Sequence, residues 1–180
     1  MKLVIASDLH GSAYYTQQLK ERFIREDAQQ LILLGDLLYH GPRNSLPLEY
    51  DPQKVITILN SIKESILCIR GNCDSEVDQM VLEFPIMAEW GMLYLKGHRM
   101  YLVHGHKEKP KLQKGDILLH GHTHVPSLKW LADGTAYFNP GSVSIPKEDS
   151  TNSYMVYEDG IFSLCALSNG QILDTIKITK

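Results

Sequence analysis

The stretch Ile117-Leu118-Leu119-His120-Gly121-His122-Thr123-His124 sets an apolar run too short for a helix directly against a cluster of imidazoles around a glycine. The same construction occurs four more times: Leu3 to Ala6 before Ser7-Asp8-Leu9-His10, Leu31 to Leu34 before Gly35-Asp36, Ile66 to Ile69 before Arg70-Gly71-Asn72-Cys73-Asp74, and Met100 to Val103 before His104-Gly105-His106. Short continuous apolar runs bounded in this way suit strands buried on both faces. Polar side chains gathered at the carboxyl ends of such strands are where α/β sheets build their sites. The fold class read from this pattern is α/β.

Between the runs lie helical signals. Asp51-Pro52 offers an N-cap and a proline at the first helical position, and Val55, Ile58, Leu59 and Ile62 then recur at three- and four-residue spacing. Ser12 to Arg25 reads as a second helix with Tyr15, Leu19 and Phe23 on one face, and Asp74 or Ser75 is placed to cap a third running towards Phe84, before Pro85. Beyond Thr123 the turn dipeptides Asp133-Gly134, Asp159-Gly160 and Asn169-Gly170 separate β-rich runs, Tyr154 to Tyr157, Ile161 to Leu167 and Ile172 to Thr179, so an antiparallel meander is expected there. Nothing divides the chain, and residues 1–180 are read as one domain.

Composition bounds the function. With 180 residues, 43% hydrophobic and 22% charged, the chain can bury one substantial core. A formal net charge of -3 and the lack of a dense Lys/Arg run argue against a nucleic-acid binder. Lys107, Lys109, Lys111 and Lys114 are diluted by Glu108 and Pro110 and read as a solvated loop. Three unpaired-looking cysteines, Cys68, Cys73 and Cys165, favour a reducing compartment. The short run Leu3 to Ala6 is no export signal and no stretch is long enough to span a membrane, so the cytoplasm is the expected location.

The strand ends together offer Asp8, His10, Asp36, Asn72, His104, His122 and His124, a mixture of carboxylate, amide and imidazole. That donor set suits Mn²⁺, Fe²⁺, Zn²⁺ or Co²⁺ better than Ca²⁺ or Mg²⁺. Asp8 and His10, two apart, can point the same way from one strand end, as can His122 and His124. A lone Asp-x-His is more often a capped turn, and a lone histidine more often structural; five strand ends with compatible donors are another matter. A carboxylate such as Asp36 can give one oxygen to each of two ions, and such a pair generates hydroxide near neutral pH and neutralises phosphoryl charge. His106 and His120 are read as structural, and His98 as a surface residue.

The ordered series Asp8-x-His10, Gly35-Asp36, Gly71-Asn72-x-Asp74, His104-Gly105-His106 and Gly121-His122-Thr123-His124 resembles the calcineurin-like metallophosphoesterase superfamily. The segments Asp36 to Asn44, Gly71 to Met80 and Asn139-Pro140-Gly141-Ser142 resemble, within it, the small bacterial phosphodiesterases of the YfcE type. The resemblance implies a four-layer sandwich of two mixed β-sheets flanked by helices. It also implies two divalent ions, one on Asp8, His10, Asp36 and His124, the other on Asp36, Asn72, His104 and His122, with Asp36 shared. Manganese is the ion most often implied, with zinc, iron(II), cobalt or nickel tolerated by the same donors. The implied reaction is hydrolysis of a small phosphodiester by a bridging hydroxide; a phosphomonoesterase and a non-catalytic scaffold are the alternatives. A homodimer or higher homo-oligomer is compatible with this reading.

The chain departs from the superfamily at one informative place. Many members carry Gly-Asn-His-Asp or Gly-Asn-His-Glu, with the histidine placed to protonate the leaving oxygen, whereas this chain has Gly71-Asn72-Cys73-Asp74. A thiol of ordinary pKa, about 8.5, is a weak acid at neutral pH. Candidate catalytic residues are therefore Asp36 and Asn72 with Cys73 and Asp74 of the same motif. Arg43, as a fork onto phosphate, and His40, as a replacement proton donor, join them from the loop after Asp36.

Overall fold

The computed structural model describes residues 1–178. Its strands are β1 (Lys2–Ala6), β2 (Gln30–Leu33), β3 (Ile66–Cys68), β4 (Trp90–Leu95), β5 (His98–Val103), β6 (Ile117–Leu119), β7 (Ser127–Trp130), β8 (Ala136–Asn139), β9 (Ser153–Glu158), β10 (Ile161–Ala166) and β11 (Ile172–Lys177). The helices are α1 (Ala13–Arg25), α2 (Pro52–Asn60) and the single turn α3 (Glu76–Gln79). No helix is long and apolar enough to cross a membrane among the described residues.

The strands form two mixed sheets, ordered β11-β10-β9-β1-β2-β3 and β4-β5-β6-β8-β7. In the first, β1, β2 and β3 run parallel while β9, β10 and β11 add antiparallel strands beside β1. Strand pleat explains the two cores. Val4, Ala6, Leu31 and Leu33 join Leu19 and Phe23 of α1 and Val55 and Leu59 of α2 on one face. Leu3, Ile5, Ile32 and Leu34 point the other way, against Met100, Leu102, Ile117, Leu119 and Phe138 of the second sheet. The apolar runs carry no polar alternation because each strand is covered on both faces. The two-sheet sandwich is as expected, with α1 and α2 supplying the outer layer on the six-stranded sheet.

The helices begin where the caps predict: Ser12 Oγ accepts from the Tyr15 amide and Asp51 Oδ1 from that of Lys54. Three expectations are corrected. The third helix stops at Gln79 rather than approaching Phe84, because side chains take over its hydrogen bonds: Gln79 donates to the Leu82 and Phe84 carbonyls and Asn60 accepts from the Glu83 amide. The C-terminal third is not one meander. Strands β9 to β11 are, with Thr179 of the expected last run outside the described residues, but β7 and β8 join the second sheet, where β8 lies parallel to β6. His98 is buried, not at the surface, because its Nδ1 bonds the Gly115 carbonyl at 2.7 Å.

Candidate metal centre

The loops leaving β1 and β2 are zipped together by main-chain bonds from Asp8 to Gly35, His10 to Asp36 and Gly11 to Leu37, while the Gly121 amide binds the His104 carbonyl. The His122 amide, which donates to Asp8 Oδ2, and His104 Nδ1, bonded to the Leu34 carbonyl, then join the carboxyl ends of the two sheets at one edge. There the side chains do not follow strand alternation, contrary to the reading of Asp8-x-His10 and His122-x-His124. Asp8, His10, Asp36, His122 and His124 all lie past the strand ends with φ between 49° and 67°. Left-handed backbone is uncommon for non-glycine residues, though Asp and His tolerate it better than most, and it costs of order 1 kcal/mol or more at each position. Such strain persists only where surrounding contacts enforce it, and here it turns five donors inward.

Three of the imidazoles are locked from behind. Nδ1 of His10, His104 and His124 sits 2.8, 2.6 and 2.6 Å from the carbonyls of Tyr39, Leu34 and Ile145. A carbonyl only accepts, so each Nδ1 carries the proton and each Nε2 presents a lone pair when the ring is neutral. These three nitrogens converge on the carboxylates. His124 Nε2 is 3.3 Å and His10 Nε2 3.6 Å from Asp8 Oδ1, while His10 and His104 Nε2 are 3.7 and 3.4 Å from Asp36 Oδ2. His10 and His124 Nε2 are 3.2 Å apart, and His104 Nε2 is 3.0 Å from Asn72 Oδ1. His122 packs edge-on to His104 with ring centroids 5.1 Å apart.

The arrangement fits a cation. Asp8 Oδ1 is buried with no hydrogen-bond partner among the described residues, and two lone-pair nitrogens in near contact repel unless a proton or metal lies between them. The sets Asp8/His10/His124 and Asp8/Asp36/His104 each bring their ligand atoms within 4.8 Å of one another.

The electrostatics agree. Burial opposes charge on Asp8, but His10 and His124 outweigh it and hold the carboxyl well below the usual range. Burial likewise lowers His104, yet its contact with Asp36 and the charge of Asp8 raise it to about 9. A divalent cation must displace that proton. Metal affinity is therefore expected to rise with pH, by about tenfold per unit for each proton displaced, and to level off near the His104 value of about 9. Calorimetric titration with Mn²⁺ between pH 6 and 8, in buffers of different ionisation enthalpy, checks this; affinity independent of pH, with no proton release, would contradict it.

The remaining candidates separate. The cleft over the donors, about 350 Å³, is lined by Asp36, Arg43, Asn72, Cys73, His122 and Lys147 among others. Arg43 is exposed and pairs with no carboxylate among the described residues, so its fork is available at the mouth. His40 is not on the cleft wall: its ring is packed between Tyr39 and Tyr50 at 4.8 and 5.2 Å, which corrects its candidacy as the proton donor. Asp74 is buried and spends its oxygens on the amides of Asp36, Leu37 and Gly71 at 2.7 to 2.9 Å, so it positions the Asp36 loop rather than facing a substrate. Cys73 donates its backbone amide to Asp36 Oδ1 at 2.8 Å, and burial together with the Asp36 charge pushes its thiol up to about 12.

A thiol so raised by burial and neighbouring carboxylate charge is a poor acid near neutral pH unless a cation offsets that charge. Cys73→Ser is expected to lower turnover by less than about tenfold with metal content intact; a loss of about a thousandfold would restore a chemical role to the thiol.

One residue escaped the sequence reading, and one segment marked there by resemblance had no role assigned. Lys147 reaches the cleft from a distant loop with no motif to mark it. The Asn139-Pro140-Gly141-Ser142 segment buttresses the backbone of the site: Asn139 Nδ2 donates to the Gly121 carbonyl and Thr123 Oγ1, and Ser142 Oγ to the Asp8 carbonyl at 2.8 Å.

Two mixed sheets with carboxylate, amide and imidazole donors at their joined edge define a metal-dependent phosphoesterase fold, and the chain belongs to the calcineurin-like phosphoesterase superfamily, whose domain matches residues 1–159. Among named proteins it is 44% identical to Phosphodiesterase YfcE of Escherichia coli K12 over 99% of this chain and 98% of that one. A solved structure of YfcE, described as a phosphoesterase from E. coli, superposes with a TM-score of 0.95 over 99% of this chain and 100% of that chain. An archaeal phosphodiesterase, 19% identical over 98% of this chain and 99% of that one with a TM-score of 0.65, shares the fold.

Proposed function

We propose that the protein is a phosphodiesterase that works with two divalent cations, most readily Mn²⁺, on a small substrate in the cytoplasm. The observation that carries the dinuclear reading is Asp36 Oδ2, which lies within 3.7 Å of Nε2 on both His10 and His104 and so stands between two donor groups. Asp8, His10 and His124 would complete one set and Asn72, His104 and His122 the other. When bound, such a pair polarises the phosphoryl oxygens and lowers the pKa of a water between the ions, so that attack on phosphorus proceeds near neutral pH.

The chain's own residues do the rest. The carbonyls behind His10, His104 and His124 fix ring orientation, and the Cys73 amide and Asp74 hold Asp36 in place. Arg43 and Lys147 supply positive charge at the mouth for phosphoryl oxygens that face away from the donors. Identity to a named phosphodiesterase over nearly the whole length supports the diester reading. A second reading, a phosphomonoesterase, gains from Lys147, which with Arg43 gives the two cationic groups that a dianion favours. A scaffold is disfavoured by the complete donor set.

The test is to load the protein with Mn²⁺ or Zn²⁺ and compare kcat/KM on aryl phosphate mono- and diesters. Diesters are expected to be cleaved at least about tenfold faster; a preference for monoesters would favour the second reading, and no turnover with any ion would revive the scaffold. With a thiol where many superfamily members carry a histidine, rates are expected to climb steeply as the leaving group becomes more acidic. A flat dependence with chemistry rate-limiting would show that another group supplies the proton.

A further inference from the structure

Strand β4 presents Trp90, Met92 and Tyr94 to solvent at 60%, 49% and 69% exposure. Three exposed large apolar residues on one face of an edge strand are unusual unless something covers them. The β4–β5 register sets Trp90 opposite Val103 and Met92 opposite Tyr101. Trp90 therefore stands directly across from the residue that precedes the donor His104. Trp90 and Tyr101 have ring centroids 6.5 Å apart at an interplanar angle of 40°. With the loop Gly105 to Pro110 opposite, they line a groove of about 340 Å³ that also includes His104 and His106.

His104 lines this groove and, through Nε2, faces Asp36 and Asn72 in the neighbouring cleft. Its ring and that of His106 lie 5.1 and 6.2 Å from His122, which lines the cleft itself. The groove and the metal cleft thus adjoin along this row of imidazoles. His106 Nδ1 is buried without a hydrogen-bond partner among the described residues, while the His106 ring itself lines the groove. Across the rim Lys107 pairs with Glu89 at 2.5 Å, leaving the aromatic wall electrically balanced.

From this juxtaposition we infer that the groove is the subsite for an aromatic ester arm of the substrate, a planar ring seated against Trp90 and Tyr101 while its phosphorus lies over Asp36 and His122. The volume accommodates one ring system rather than a polymer, near the lower bound of small-molecule sites. Aromatic walls favour stacking or edge contact with a planar group over an alkyl chain. The inference rests on the phosphodiesterase reading and narrows its substrate class to aryl or nucleobase-bearing diesters.

Mn²⁺-loaded wild type and Trp90→Ala are compared in two assays: turnover of bis-p-nitrophenyl phosphate, and competitive inhibition by phenylphosphonate against methylphosphonate. Wild type is expected to bind phenylphosphonate about tenfold more tightly than methylphosphonate, and Trp90→Ala to reduce that ratio towards one while raising KM about tenfold with kcat little changed. Trp90 is mostly exposed, so the variant should fold; Tyr101→Phe, which keeps the ring, should retain the ratio. Turnover by wild type with an unchanged ratio in Trp90→Ala would overturn the inference while sparing the phosphodiesterase reading, whereas failure of wild type to turn over would sink that reading instead. Sedimentation of both proteins decides whether a second copy covers the patch: a change of oligomeric state in Trp90→Ala with no change in ratio also overturns it.

Discussion

Asp36→Asn is expected to lower kcat by about a thousandfold or more and to remove at least one equivalent of tightly bound metal, with the fold intact. The size follows from where the carboxylate sits. Its Oδ2 lies near Nε2 of both His10 and His104, and its Oδ1 is fixed by the Cys73 amide. The amide replacement removes the negative charge that would offset the two proposed cations, and places either an N–H or a single neutral oxygen where they would lie. A thousandfold change corresponds to about 4 kcal/mol of transition-state stabilisation, within what a metal clamp supplies. Circular dichroism and elemental analysis of the purified variant, beside its turnover, are the measurements; near-normal rates at full metal occupancy would mean that Asp36 does not join the two sites.

The second large effect is expected from a single methyl group. A Cβ on Gly71 would lie 2.1 Å from Asp36 Oδ1 and 2.4 Å from the Asp36 amide nitrogen. Gly71 is not among the residues with positive φ, so the penalty is one of space rather than backbone conformation. Neither neighbour can yield cheaply, because Asp74 grips the Asp36 amide at 2.9 Å and the Gly71 amide at 2.7 Å. Gly71→Ala must push the Asp36 carboxylate out of register, and displacements of about 1 Å at a reacting centre cost roughly a hundredfold. We expect kcat/KM to fall by at least that factor, metal affinity to weaken, and the melting temperature to drop by several degrees. Full activity would show that the Asp36 loop tolerates movement, against the locked geometry described above.

The legible part of the fold was the part written in runs of like residues. Leu3 to Ala6 and Leu31 to Leu34 announce strands covered on both faces, and the two clusters that divide Val4 from Ile5 and Leu31 from Ile32 are the reason. Ser12 and Asp51 mark helix starts because an unsatisfied amide near each needs an acceptor. What could not be read was anything decided by distant partners. The split of β7 and β8 from β9 to β11 depends on sheet pairing, for which Asp133-Gly134 and Asp159-Gly160 look alike. The burial of His98 depends on the Gly115 carbonyl, and Lys147 reaches the cleft through a loop without a motif.

The candidate site divides in the same way. The candidate donors were legible as residue types gathered at strand ends, but what aims them was not, since left-handed turns rather than the two-residue spacing of a pleat turn Asp8, His10, His122 and His124 inward. Asp74 shows the converse. A buried carboxylate in a metal-binding motif invites a chemical role, and only its three backbone amides show it to be a brace.

Anomalous diffraction from crystals grown with Mn²⁺ tests the central claim most directly. Two peaks are expected, roughly 3.5 to 4 Å apart, with the Asp36 carboxylate between them and the histidine Nε2 atoms at coordination distance. A single peak, or metal bound away from Asp36, would contradict the dinuclear centre.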